Sequence, residues 1–257
     1  MSTAVSRPSI HVVMTGFTLR SREFSPALSA VYLIRGRRTL LVDTGSFNRR
    51  EQLHLGLSRL GLELGDIDAV ILTHAHFDHA QNIDLFEGKP VYLHAAELDY
   101  IRHPAPADFA TERHVADVLS RQNLVVVDGE RELEPGVRLI ELPGHSPGHM
   151  GVLVQTADGT AVIAGDASPN ARTLLDGCPY LVFGDEQDAR KSCARLRDEA
   201  ELFYCGHDRP FALRAGEVRY LEQPGLDLTM MIHPLAPDVH VTLATASPKA
   251  VWVMPRA

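Results

Sequence analysis

The apolar run Ala69-Val-Ile-Leu-Thr is followed at once by His74-Ala-His76-Phe-Asp78-His79, which puts four side chains able to bind a metal into one short loop. With 13 histidines in 257 residues, about 0.002 chance matches to a His-x-His-x-Asp-His pattern are expected, so coincidence is a poor account of it. A short run rich in Ile, Val and Leu reads as a buried strand, and polar donors gathered at its end read as a concave site rather than a solvated face. The chain must therefore fold so that a strand end opens into a pocket. Layered sheets, with their loops gathered along one edge, meet that requirement.

Strand-like runs bounded by Gly, Pro and Asp recur at residues 10–14, 31–34, 39–42, 69–73, 91–94, 124–127, 137–142, 151–155 and 161–164. Helical patterns are expected at 49–60, 107–121 and 186–202. The irregular alternation favours an α/β sandwich over a barrel. One internal echo supports two sheets. Val31-Tyr-Leu-Ile, a turn and Thr39-Leu-Leu-Val-Asp43 resemble Val152-Leu-Val-Gln, a turn and Thr160-Ala-Val-Ile-Ala-Gly-Asp166. Each half offers a hairpin that delivers an aspartate at the end of its second strand, and face-to-face packing would bring those ends together.

Composition narrows the function. Lys plus Arg number 25 against 33 Asp plus Glu, a net charge of −8, so the phosphate-neutralising field of a nucleic-acid binder is missing. No run approaches the roughly 18 apolar residues of a membrane span, and residues 1–30 lack a leader pattern, so no membrane partner and a cytoplasmic location are expected. Cys178, Cys193 and Cys205 are odd in number and without paired spacing, which predicts reduced thiols.

Further donors stand in matching settings. Pro143-Gly-His145-Ser-Pro-Gly-His149 follows the run 137–142, Gly165-Asp166 follows 161–164, and Tyr204-Cys-Gly-His207-Asp follows an apolar Leu-Phe. Each lies just past a strand-like run, beside a Gly that permits a tight turn. Three imidazoles around one ion, with two imidazoles and a carboxylate around another and a second carboxylate between them, suit zinc, or manganese, iron or cobalt.

Through Val42-Asp-Thr-Gly45, Thr73-His-Ala-His-Phe-Asp-His79, Pro143-Gly-His-Ser-Pro-Gly-His149, Gly165-Asp-Ala-Ser168 and Gly206-His-Asp208, roughly residues 10–210 resemble the metallo-β-lactamase superfamily. The resemblance implies its four-layer αββα sandwich and two divalent metal ions. His74, His76 and His145 would hold the first ion and Asp78, His79 and His207 the second, with Asp166 bridging. His at position 79 together with His207 is similar to the glyoxalase II and N-acyl homoserine lactonase branches, and the order of motifs is closest to the lactonase-like one. The chain departs from that branch at one position: such lactonases carry Tyr three residues after the bridging Asp, where Pro169 stands here.

The function implied is hydrolysis of an ester or lactone bond in a small molecule by metal-bound hydroxide, two cations about 3.5–4 Å apart having lowered the pKa of a shared water. Asp78 or Asp166 would move the proton. Three alternatives share the motifs: an acyl thioesterase of the glyoxalase II kind, a mononuclear iron persulfide dioxygenase, and a silent metal-binding regulatory protein. A lactone-against-thioester panel separates the first, iron content and oxygen uptake the second. The complete donor set argues against the third.

Among the remaining residues, Asp43 is expected to orient a ligating imidazole, and His149 to support or pack rather than ligate. Cys205 reads as a buried thiol and Tyr180 as a packed tyrosine with the site in reach. His11, His54, His94, His103, His114, His233 and His240 read as ordinary surface or core residues. The basic stretches at 35–38 and 48–50 read as hairpin and helix-start charges. Residues 1–210 are expected to form the catalytic domain. Residues 211–257 are expected to be an extension packed on that domain or on a partner in a homodimer, with residues 239–254 pairing across the dimer or capping the substrate mouth. The substrate is expected to lie between residues 14–22, 169–185 and that arm.

Overall fold

The computed structural model describes residues 7–18, 27–222 and 252–253. β1 (Ser9–Met14), β2 (Val31–Arg35), β3 (Thr39–Val42), β4 (Ala69–Ile71), β5 (Pro90–His94) and β6 (Asn123–Val127) form one sheet in that order. It is antiparallel as far as β3 and parallel from β3 to β6. β7 (Arg131–Glu134), β8 (Val137–Glu141), β9 (Met150–Thr156) and β10 (Gly159–Gly165) begin a second sheet, while β11 (Leu181–Val182) stands apart. β12 (Leu202–Cys205), β13 (Phe211–Arg214) and β14 (Glu217–Tyr220) complete the second sheet beyond β10. β15 (Trp252–Val253) pairs in parallel with β11.

The helices are α1 (Arg50–Arg59), α2 (Phe77–Ala80), α3 (Ala95–Tyr100), α4 (Val115–Ser120), α5 (Ala171–Asp176) and α6 (Glu186–Glu199). Alternation along the strands sorts them into layers. In β2, Tyr32 and Ile34 turn inward to meet Val152, Val154 and Ile163 of the second sheet. Val31 and Leu33 turn outward, in the same cluster as Leu53 and Leu57 of α1 and Leu119 of α4. The outer face of the second sheet, with Leu153, Val162 and Phe203, is covered by Leu174 of α5 and Leu196 of α6. The order is helices, sheet, sheet, helices, the expected αββα sandwich. Each fully buried Val or Leu in it contributes about 1.5–3 kcal/mol.

Both hairpins of the echo form, β2–β3 and β9–β10, each antiparallel. One expectation is corrected. The helix over 107–121 is realised only as α4, because the Asp108 carboxylate accepts from the Ala110 and Thr111 amides and the Thr111 hydroxyl. A short acidic side chain that offers the backbone such an alternative competes with helix. The strands at 211–220 extend the second sheet, so the chain just beyond Pro210 packs there. Of the basic stretches, the 35–38 hairpin lies against Glu134, which accepts from the Arg37 and Arg38 amides. Arg49 precedes α1 and donates to the Ser29 and Thr15 carbonyls. No described helix is long and apolar enough to cross a membrane. His233, His240, residues 19–22 of the expected substrate boundary and most of 239–254 lie outside the described residues.

Candidate metal centre

β3 and β4 run in parallel, so their C-terminal ends open on the same edge. At the end of β3 stands Asp43, a non-glycine residue held at φ 62°. A backbone in that region is costly for a side-chain-bearing residue and persists where surrounding contacts over-determine it. Those contacts are present. Asp43 Oδ1 accepts the Thr73 amide at 2.8 Å, and Oδ2 accepts the Thr73 hydroxyl at 2.9 Å and His79 Nδ1 at 2.8 Å. The Thr44 amide and hydroxyl both donate to the His79 carbonyl, and Asn82 donates to the Thr44 and Ser46 carbonyls. The chain is extended at His76 and then turns into α2. His74 and His76 therefore precede the turn while Asp78 and His79 lie within it.

The second sheet supplies the other donors. His145 follows β8, and its Nδ1 donates to the Leu181 carbonyl at 2.9 Å. Asp166 follows β10, where Gly165 adopts φ 49° and a Cβ would strike Thr73 and His149. The Asp166 and Ala167 amides donate to His149 Nε2 at 3.0 and 3.2 Å. His207 follows β12, its amide bonded to the Pro169 carbonyl. A Cβ on neighbouring Gly206 would collide with the Asp166 carboxylate.

All seven sequence-predicted site residues are buried and meet here. His76 Nδ1 stands 2.9 Å from His74 Nε2 and 3.1 Å from His145 Nε2. His207 Nε2 lies 3.3 Å from Asp78 Oδ2, and His79 Nε2 lies 3.7 Å from the same oxygen. Asp166 stands between the two groups, with Oδ2 3.6 Å from His145 Nε2 and 3.2 Å from His207 Nε2, and Oδ1 3.5 Å from His79 Nε2.

The hydrogen bonds around the imidazoles fix where their lone pairs point. The Thr73 hydroxyl gives its proton to Asp43, so it accepts from His74 Nδ1 at 3.0 Å, and His74 Nε2 is left with a lone pair. The same reasoning leaves a lone pair on His145 Nε2, whose other nitrogen donates to a carbonyl, and on His79 Nε2, whose other nitrogen faces Asp43. Lone pairs therefore converge on one interior space. Asp78 Oδ2, His79 Nε2 and Asp166 Oδ1 are buried with no hydrogen-bond partner among the described residues. Leaving such a group unpaired costs about 1–3 kcal/mol, more if charged, and a divalent cation removes that cost. The donor set and its geometry thus fit metal binding: His74, His76 and His145, then His74, His79 and Asp166, then Asp78, His79 and His207 each lie close enough together to hold an ion.

Electrostatics separate the groups. Burial, reinforced by neighbouring imidazoles, holds His74 well below the ordinary imidazole pKa. Burial likewise pushes His145 down to about 3. Both shifts favour the neutral imidazole, the form able to bind a metal. Burial also opposes charge on His79 and His207, but the carboxylates of Asp78 and Asp166, with Asp43 beside His79, raise both. Asp166 is held well below its usual range: burial works against its charge, and His207 and His79 outweigh it.

Asp43 and His149 occupy the supporting places expected of them. Cys178, Cys193 and Cys205 are buried free thiols. Tyr180 is half-buried. Sequence reasoning missed three features. Phe183 packs edge-on against His76 and His145, with ring centroids 4.7 and 5.4 Å away. It forms an apolar wall with Phe77, Ala110 and Leu181. Asp108, which receives the Tyr100 hydroxyl, lies 3.7 Å from His76 Nε2. Glu97 is completely buried beneath the site. Asp108 sits in the stretch read as a helix, Glu97 falls in none of the patterns, and nothing local marks either.

Known proteins resemble this chain in sequence and fold. The profile of the Metallo-beta-lactamase superfamily matches residues 25–207. An N-acyl homoserine lactonase of Bacillus cereus is 32% identical over 157 residues, covering 59% of this chain and 60% of that protein. Metallo-beta-lactamase domain-containing protein 1 of Xenopus laevis is 28% identical over 210 residues, covering 79% of this chain and 81% of its own. The crystal structure of a quorum-quenching N-acyl homoserine lactone lactonase superposes with a TM-score of 0.64 at 25% identity, covering 81% of this chain and 94% of that one. The chain spans about 60% of the length of the lactonases it matches.

Proposed function

Because this chain belongs to the metallo-beta-lactamase superfamily, we propose that it is a metal-dependent hydrolase that opens an ester or lactone bond in a small molecule. The observation that carries this reading is the convergence of the buried imidazole nitrogens of His74, His76 and His145 beside the unpartnered atoms of Asp78, His79 and Asp166. In this reading His74, His76 and His145 hold one divalent ion and Asp78, His79 and His207 a second, with Asp166 shared. Zinc suits this mixture of imidazole and carboxylate, and manganese, iron or cobalt are accommodated by the same donors. Such ions supply an ionised water at neutral pH and polarise a carbonyl.

The chain's own groups do the rest. Asp43 keeps the His79 proton on Nδ1, so that Nε2 faces the centre. Asp78 or Asp166 would carry the proton of the attacking water to the leaving alkoxide. Phe183, Phe77 and Leu181 exclude water from the flank of His76 and His145 and seat the apolar part of the substrate. The lactonase relatives support a lactone substrate.

A panel of lactones, simple esters and acyl thioesters, run beside elemental analysis, tests the reading. Turnover of lactones or esters by metal-bearing protein, abolished in His76→Ala and Asp166→Ala together with metal content, is expected. Full turnover and full metal content in both variants would overturn it.

A further inference from the structure

Glu97, in α3, is a fully buried carboxylate that belongs to neither group of donors. Its Oε1 accepts the Ala75 amide at 3.0 Å. Its Oε2 accepts the Ser146 hydroxyl at 2.7 Å and the Gly148 amide at 3.1 Å. All three partners are donors, which suits an ionised carboxylate, an acceptor-only group. Ala75 sits between His74 and His76, and Ser146 follows His145. One oxygen is thus tied to the loop of the first sheet and the other to the loop of the second.

The loop of the second sheet comes close enough to α3 for this only because position 148 is glycine: a Cβ there would run into the Glu97 backbone. α3 is itself anchored from below. His94 Nδ1 accepts the Ala96 amide at the start of the helix, and His94 Nε2 meets Glu141 of β8 at 2.9 Å. The carboxylate is therefore held from both sheets before it grips either loop.

We propose that Glu97 is a positioning residue for the first metal position, a clamp that sets the separation between His145 and the His74–His76 pair. The role rests on the metal-dependent reading above. The second group has no share in it, since Asp78, His79 and His207 are placed by α2, Asp43 and β12. Loss of the clamp should weaken the first position selectively. Glu97→Gln keeps the shape, but its amide nitrogen must face a donor, so one loop is released.

The test compares wild type, Glu97→Gln and the milder Ser146→Ala by zinc titration against a chromogenic chelator and by amide hydrogen exchange of the metal-free proteins. In Glu97→Gln one of the two zinc sites should fall by about 10- to 100-fold, as for other groups that support ligands, with the other unchanged. The Ala75 or the Gly148 amide, whichever faces the new NH2 group, should exchange faster while those of β9 and β10 keep their protection. Ser146→Ala should shift both readouts in the same direction by less, and it stands in if Glu97→Gln fails to fold. Unchanged affinity with unchanged exchange would overturn the proposal. So would equal loss of both zincs with faster exchange throughout the sheets, the mark of a merely structural role. A wild type that takes up no zinc would sink the metal-dependent reading instead, and exchange at Ala75 and Gly148 would still decide whether the clamp exists.

Discussion

The loop after β4 places His74, His76, Asp78 and His79 within one short stretch, whereas the second sheet sends His145, Asp166 and His207 from the ends of β8, β10 and β12. On the first side the spacing of donors is set by a single turn, latched by Asp43 and Thr44. On the second it depends on the register of strands far apart in sequence and on glycines that let them approach. The first half of the centre is a local structure that needs support. The second exists only when the sheet is assembled.

That contrast predicts graded effects. Asp166 lies 3.6 Å from His145 Nε2 and 3.2 Å from His207 Nε2, one donor from each group, so Asp166→Ala should be the most damaging substitution. It should lower kcat/KM by about 10³-fold or more and reduce metal content at both positions, as steady-state kinetics and elemental analysis would register. Retention of either position at wild-type affinity would break the idea of a shared carboxylate.

Asp43→Ala probes the latch on the first side. Metal affinity should drop by about 10- to 100-fold, the usual cost of removing a partner that orients a ligating imidazole. Asp43→Asn should fall the same way, because an amide donor facing Nδ1 turns the His79 proton toward the centre. A chelator titration that found either variant equal to wild type would show that the His79 tautomer is set elsewhere.

His149→Ala is the corresponding probe on the second side. It strands the Asp166 and Ala167 amides and should lower unfolding free energy by about 1–3 kcal/mol in a denaturant titration, with a smaller loss of activity than Asp43→Ala. The reverse ranking would mean that the strand end after β10 is more fragile than the latch.

The smallest effect concerns the thiols beneath the second sheet. Burial pushes Cys193 up to about 12 and Cys205 higher still. A thiol is unreactive below its pKa, so raising the pH from neutral to mildly alkaline should expose no thiolate. Iodoacetamide should leave both unmodified in the folded protein, and rapid alkylation observed by mass spectrometry would show that this layer opens.

The same contrast explains what was legible in the sequence. The donor cluster at 74–79 announces itself because its chemistry is compressed into one loop behind a buried run, and the hairpin echo points to two packed sheets, while the αββα layering is implied only by the family resemblance of the motifs. β7 escapes the pattern because three of the four residues of Arg-Glu-Leu-Glu are charged, as suits the edge of a sheet. β13 and β14 lie past Pro210, where the composition changes and reads as an arm. The helix over 107–121 was too long because the pattern cannot show that Asp108 spends its carboxylate on nearby amides. Glu97 and Phe183 reach the centre only through tertiary packing, and tertiary packing leaves no local period.

The most direct measurement is anomalous diffraction at the zinc edge from crystals of the zinc-loaded protein. Two peaks are predicted about 3.5–4 Å apart, one among His74, His76 and His145, the other among Asp78, His79 and His207, with Asp166 between them. Crystals with no peak at this position, or with zinc bound only elsewhere, would contradict the account.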